Sequence, residues 1–217
     1  MIEDPKAFIV ANTRVLSPPH TPELKLHMAD DAVALWQLTE DELGRLGLEP
    51  PFWAFAWAGG QALARYVMDN PALVAGQTVL DVAAGSGLVA IAAMRAAAAA
   101  ACAIDLDPFA AHAVALNADL NGVRVQAVTG DALAAPPQAD VVLVGDLFYD
   151  RDIAAALLAW LQAAAKSGKT VLVGDPGRAY LPSAALRKVA EYQVAVSLDL
   201  EDAEVKRTGV WTLAPIE

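Results

Sequence analysis

"VLDVAAGSGLVAI" (79–91) is the stretch on which the fold depends. Aliphatic residues lead to Asp81, then come Gly85 and Gly87, then a run rich in leucine, isoleucine and alanine. The pattern predicts a strand, a tight turn and a helix. Glycine lets the backbone pass close to a neighbour, and a helix start leaves N–H groups without intrahelical partners.

The same alternation continues downstream. "QTVLDV" (77–82), "AACAID" (100–105), "VRVQAV" (123–128), "ADVVLVG" (139–145) and "KTVLVGD" (169–175) are expected strands. Between them, helices are expected over "GLVAIAAMRAAAA" (87–99), "PFAAHAVALNADLNG" (108–122, Pro108 in its first turn and Gly122 at its end) and "RDIAAALLAWLQAAAK" (151–166). "LPSAALRKVAEY" (181–192) is expected to be one more helix, and "QVAVSLDL" (193–200) and "TGVWTLAP" (208–215) a pair of strands around "EDAEVKR". Strand–helix alternation with short connections gives an α/β fold: a doubly wound, mostly parallel seven-stranded sheet with an antiparallel C-terminal hairpin. Upstream, "PPFWAFAWAGGQALARYVMDNP" (50–71) passes from aromatics into a helix ending before Pro71. Residues 1–50 form a short N-terminal arm, with a strand at "LKLHM" (24–28) and a helix over "TEDELGRLGL" (39–48) capped by Thr39. The domain proper is expected over 51–217.

Hydrophobic residues make up 56% of the 217, which makes a membrane span worth testing at 82–104. That run contains Gly85, Gly87 and Arg95 and is apolar mainly through alanine, so a buried strand–loop–helix–strand explains it better. The acidic start "MIEDPKAFIV" has no signal-peptide core, and the single cysteine, Cys102, suits a reducing compartment, so a cytoplasmic location is expected. His20, His27, His112 and Cys102 lack metal-ligand spacing, so no metal is expected. A net charge of −11 repels phosphate backbones, which argues against nucleic acid and is compatible with a cationic or lysine-bearing partner.

Ligands of doubly wound sheets bind outside the carboxyl ends of the strands, where Asp81, Asp105, Asp131 and Asp146 fall. By spacing alone, Gly85-x-Gly87-x-x-Ala90 followed by Asp105 also fits the dinucleotide turn of an NAD(P)-dependent oxidoreductase. Asp81 opposes that reading, because a carboxylate beside a pyrophosphate is repelled, whereas a ligand carrying a sulfonium and an ammonium suits it. Carboxylates after strands also cap helices, the role expected of Asp107 and Asp152.

Asp81-x-Ala83-x-Gly85-x-Gly87, "AIDLDP" (103–108) and "TGDAL" (129–133), in that order, resemble the three motifs of the seven-stranded, Rossmann-like, S-adenosylmethionine-dependent methyltransferases. Ala83 stands where that family has its first glycine. The resemblance implies that Asp105 holds the ribose hydroxyls and that Asp131 and Ala132 meet the adenine. Asp146-Leu147-Phe148-Tyr149 matches the D-x-x-Y motif of protein-lysine methyltransferases. There Asp146 would capture the lysine ammonium and contact the cofactor, Tyr149 would align the nitrogen, and Phe148 or Tyr149 would form an aromatic wall.

"PFWAFAWAGGQALARYVMDNP" (51–71), "GDLFYD" (145–150) and "VLVGDPGR" (171–178) narrow the resemblance to the lysine methyltransferases of the electron transfer flavoprotein β subunit, over most of 50–215, with 22–36 expected to belong to it. It implies that Trp57, Gly59 and Gly60 lie over the cofactor and that Asp175 and Arg178 border the substrate entrance. Trp53, Phe55 and Trp57 also read as one apolar face of an extended segment. A methyl acceptor other than that β subunit, such as a ribosomal protein, fits the same motifs. So, less well, does a non-catalytic module that retains the fold.

Overall fold

The computed structural model describes residues 2, 4–29, 50–198 and 201–214; the helix expected at 39–48 lies outside them. Helix α1 (Pro5–Asn12) is capped by Asp4, whose carboxylate accepts from the Ala7 amide. A two-stranded antiparallel sheet follows, β1 (Arg14–Leu16) with β2 (Leu26–Met28). Then come α2 (Ala58–Asp69), β3 (Thr78–Val82), α3 (Leu88–Arg95), β4 (Ala100–Asp105), α4 (Pro108–Leu120), β5 (Gln126–Thr129), β6 (Val141–Gly145), α5 (Arg151–Lys166), β7 (Thr170–Asp175), β8 (Leu186–Ala195) and β9 (Val205–Leu213).

The main sheet has seven strands in the order β5-β4-β3-β6-β7-β9-β8. The five from β5 to β7 are mutually parallel, while β9 runs antiparallel to both β7 and β8. Chain order reverses between β3 and β6, so a crevice opens there at the carboxyl ends. Side chains alternate across the sheet. Val141 and Leu143 of β6 join a core with α2, α3 and α4, while Val142 and Val144 pack with Leu157 and Leu161 of α5 on the other face. That two-sided cover is why "VVLV" is continuously apolar. The alanine-rich stretch 82–104 is the end of β3, a loop, α3 and most of β4; among the described residues no helix is long and apolar enough to cross a membrane.

One expected helix is a strand. Residues 181–192 hold only a single 3₁₀ turn at Ser183–Ala185 before β8 begins. Leu186, Val189 and Ala190 are spaced i, i+3, i+4, as on a helix face. In β8 a β-bulge between Lys188 and Ala190 leaves Val189 and Ala190 both half-buried. Pairing with β9 from Leu186↔Leu213 to Ala195↔Val205 outweighs the helix propensity of leucine, alanine, arginine and lysine.

The described part of the arm packs on α4. Phe8 meets Phe109 edge-on at 5.8 Å, His27 donates its amide to Asn117, and Asn121 exchanges hydrogen bonds with the Lys25 backbone. Trp53 and Phe55 join Ile9, Ala110 and Ala113 in a third core. The segment bearing them is not extended throughout: Phe52–Ala54 is a 3₁₀ turn.

Candidate active site

A cavity of about 680 Å³ lies at the carboxyl ends of β3 to β6 and reaches Arg178 beyond the end of β7. On its glycine-loop side, Ala83 adopts φ 52°, Gly85 φ 50° and Gly87 φ 77°. Ala83 thus takes the left-handed conformation that favours glycine, at a cost of about 1–2 kcal/mol. Ala83 and Gly85 line the cavity, whereas Gly87 is not among the lining residues. Gly87 begins α3 against α4, where an added Cβ would sit 2.9 Å from Val114.

The strand-end carboxylates are held by backbone amides. Asp105 Oδ2 accepts from Gly85 and Oδ1 from Asp107. Asp131 accepts from Leu133 and borders the cavity with Ala132. Asp81 is 2% exposed, and its Oδ2 accepts from the Ala90 amide in the first turn of α3. Burial, offset by that amide and reinforced by the nearby Asp105, pushes its carboxyl up to about 8. This folded value exceeds the unfolded value of about 3.9, so the folded state binds the proton more tightly; the stability Asp81 contributes is full at low pH and is lost as pH rises towards 8. Asp81→Asn keeps an acceptor for Ala90 without the charge. Melting curves should therefore show its midpoint rising relative to wild type between pH 5 and 8; a pH-independent difference would refute this account.

Asp146 follows β6 directly in the left-handed conformation, φ 55°, and is 7% exposed. Non-glycine residues in that region are strained, and such strain concentrates at functional sites. Its Oδ2 accepts from the Gly60 amide at 3.0 Å, and its Oδ1 accepts from Arg178 Nε at 3.0 Å and Nη2 at 2.8 Å. Burial outweighs the guanidinium and, with Asp175 close by, pushes this carboxyl up to about 6. Arg178 also donates Nη1 and Nη2 to Glu201, at 3.1 and 2.6 Å, and lies 5.9 Å from the centre of the Trp57 ring. Burial opposes its charge, but its two carboxylate partners together outweigh that and hold its proton more tightly than usual.

The predicted residues divide by position. Trp57, Gly60, Asp81, Ala83, Gly85, Asp105, Asp131, Ala132, Asp146, Tyr149 and Arg178 all border the cavity. Trp57 donates its indole N–H to the Phe52 carbonyl, and Tyr149, half-exposed, lies 5.9 Å from the Phe52 ring. Phe148 does not form a wall of the cavity: it is fully buried in the core between the sheet and α5. Gly59 is not a lining residue either. It abuts β7, where a Cβ would overlap the Gly174 carbonyl oxygen and Asp146 Oδ2. Asp175, 1% exposed, sits behind the entrance and accepts the Gly177 and Arg178 amides, fixing the turn that aims Arg178 back at Asp146. Asp107 caps α4 as expected. The cap of α5 is Asp150, not Asp152, because Asp150 has the extended backbone and accepts from the Asp152 and Ile153 amides.

Five described relatives align with almost the whole chain. The electron transfer flavoprotein β subunit lysine methyltransferase of Xenopus laevis is 36% identical over 97% of this chain and 87% of its own length. That of Homo sapiens is 37% identical over 97% and 82%. The chain belongs to this methyltransferase family. The model of a second family, ribosomal protein L11 methyltransferase (PrmA), matches residues 62–148. Among solved structures, Trm5b from Pyrococcus abyssi superimposes with TM-score 0.55 at 14% identity, covering 93% of this chain and 56% of that one. The ribosomal protein L11 methylase of Lactobacillus delbrueckii subsp. bulgaricus gives 0.50 at 23%, covering 71% and 77%. These two likenesses establish the methyltransferase fold.

Glu201, which grips Arg178, was not legible as a site residue. It is one acid among several in "EDAEVKR", with no motif around it.

Proposed function

We propose that this methyltransferase transfers methyl groups from S-adenosylmethionine to lysine side chains of the electron transfer flavoprotein β subunit. The observation that carries this reading is Asp146, a buried carboxylate held in a left-handed conformation at the cavity wall beside Tyr149. The near full-length likeness to methyltransferases named for that β subunit supports the choice of acceptor over a ribosomal protein. The match to a ribosomal protein L11 methyltransferase from Bordetella parapertussis covers only 47% of this chain and 32% of that one.

The donor set fits the cofactor. Asp105, with each oxygen oriented by one amide, suits two adjacent hydroxyls. Asp131 and Ala132 suit an adenine edge and face, and Asp81 and the glycine loop suit the cationic methionine end. Trp57 and Gly60 would close over it from the start of α2. S-adenosylmethionine supplies a methyl group already activated by a positive sulfur, so this chain's residues need only position the amine and exclude water.

A free lysine has a pKa of ~10.4 and arrives as an ammonium. Asp146 would receive that cation, and Tyr149 would align the nitrogen once its proton has left to water or to a carboxylate. No histidine serves as base in this scheme. Because Asp146 must be ionised to attract the cation, kcat/KM should fall as pH drops through about 6. A pH–rate profile flat from 5 to 8 would remove Asp146 from this role.

The direct test is the intact mass of purified electron transfer flavoprotein after incubation with this protein and S-adenosylmethionine. Increments of ~14 Da on the β subunit alone are expected, each a methyl replacing a hydrogen. Unchanged β subunit, with the cofactor bound in calorimetry, would overturn the acceptor and leave the chemistry standing. Absence of cofactor binding would overturn both.

A further inference from the structure

The carboxylate that would receive the substrate lysine already carries a cation. Arg178 lays Nε and Nη2 on Asp146 Oδ1, the oxygen not engaged by Gly60. An ammonium arriving at that oxygen meets the guanidinium's positive charge at close range, so entry of the lysine is favoured when the guanidinium is held elsewhere. Among the described residues, one other carboxylate accepts hydrogen bonds from it. Glu201, from the β8–β9 connection, takes Nη1 on Oε2 and Nη2 on Oε1, and its side chain is only 4% exposed. Lys206 at 3.4 Å, itself paired with Asp202, steadies Glu201 from β9.

The surroundings limit what can move. Asp175 Oδ1 holds the Gly177 and Arg178 amides, so the backbone of Arg178 is anchored while its long side chain spans two carboxylates on different elements. Trp57 flanks the guanidinium on the cavity side.

We propose that Glu201 is a positioning residue for methyl transfer: it retains Arg178 when the substrate ammonium takes Asp146 Oδ1, so that Arg178 and Glu201 form the gate of the lysine channel. This rests on Asp146 being the lysine-receiving carboxylate. With Glu201 neutralised, Asp146 is the one charged group among the described residues whose side chain still hydrogen-bonds to the Arg178 guanidinium, which competes with the lysine. The penalty then falls on substrate entry rather than on the transfer step.

The test uses the full chain, electron transfer flavoprotein as acceptor, and Glu201→Gln, which keeps hydrogen-bonding capacity and loses the charge. KM for the acceptor should rise by about tenfold, with kcat changed less than about threefold and cofactor affinity in calorimetry unchanged. The acid limb of kcat/KM should move to lower pH, since the guanidinium stays on Asp146; the groups facing that carboxylate are Arg178 and Asp175, with Glu201, Lys206 and Asp202 behind Arg178. In an Arg178→Met background the same Glu201→Gln change should have no further effect, because the competitor is gone. An unchanged KM, or a loss that persists undiminished in the Arg178→Met background, would overturn the gate. Failure of the wild-type protein to methylate this acceptor would instead overturn the proposed function, and the gate with it.

Discussion

Asp146→Asn is expected to lower kcat/KM for lysine methylation on the order of a thousandfold while leaving the fold intact. Asparagine is among the few non-glycine residues that tolerate φ 55°, and its side-chain oxygen can still accept from Gly60. What disappears is the charge. Removing one partner of a buried charge pair costs about 2–5 kcal/mol, and each 1.36 kcal/mol is tenfold in rate, which sets the expected size. Two effects add: the ammonium loses its receiving carboxylate, and Arg178 loses one of its two anions. The variant should also show no acid limb near pH 6, because the group whose carboxyl is pushed up to about 6 is gone. Steady-state kinetics across pH 5–8 with the flavoprotein acceptor check both points. Wild-type turnover with an unchanged pH profile would exclude Asp146 from lysine capture.

Gly174→Ala is expected to lower the thermal midpoint by roughly 6–12 °C, from about 3 kcal/mol of overpacking at 2–4 °C per kcal/mol for a chain of this size. An added Cβ at Gly174 would overlap the Gly59 carbonyl oxygen and stand 2.8 Å from Leu63 Cβ. The obstructing atoms are backbone and a helix Cβ, so a rotamer change cannot relieve them. The first turn of α2 lies directly on β6 and β7: a Cβ at Gly145 would be 3.1 Å from Gly60 Cα. That close approach is also what delivers the Gly60 amide to Asp146. Gly174→Ala should therefore impair methyl transfer even below its melting range. Gly60→Ala serves as the stability control. Its Cβ would meet only Val89, at 4.0 Å, so its midpoint should stay near or above wild type, as a glycine replaced within a helix predicts. Equal midpoints for Gly174→Ala and wild type would contradict the close-packing account.

Some elements were legible end to end and others were not. The strand expected at 100–105 and the helix at 151–166 match β4 and α5 residue for residue, since Asp105 before Pro108 closes the first and an acid-rich turn opens the second, although the capping acid is Asp150 rather than the expected Asp152. Residues 186–192 of β8 were expected to be helical because a bulge gives their apolar residues a helical spacing, whereas 193–195 were expected to be strand. α1 and β1 escaped notice because they are short and are stabilised by partners distant in sequence, α1 by the face of α4 and β1 by pairing with β2, rather than by a pattern of their own.

The site divides along the same line. Asp81, Asp105, Asp131 and Asp146 could be found from the sequence because each stands at or just past the end of an apolar run, and a parallel sheet gathers such ends at one edge. Local pattern and topology rules therefore determined the fold class, the crevice and the carboxylates that line it. Only the tertiary structure decided which of those groups face the cavity and which serve behind it. Phe148 turned into the core because α5 covers that face of β6, and Gly59 and Gly174 proved to be points where two backbones nearly touch. Arg178 reached back to Asp146 and across to Glu201, residues 32 and 23 positions away. A single carboxylate in a charged loop has no periodicity and no neighbour in sequence that betrays its partner. Its role is set by the distance to a guanidinium, and that distance exists only once β7, β8 and β9 have paired.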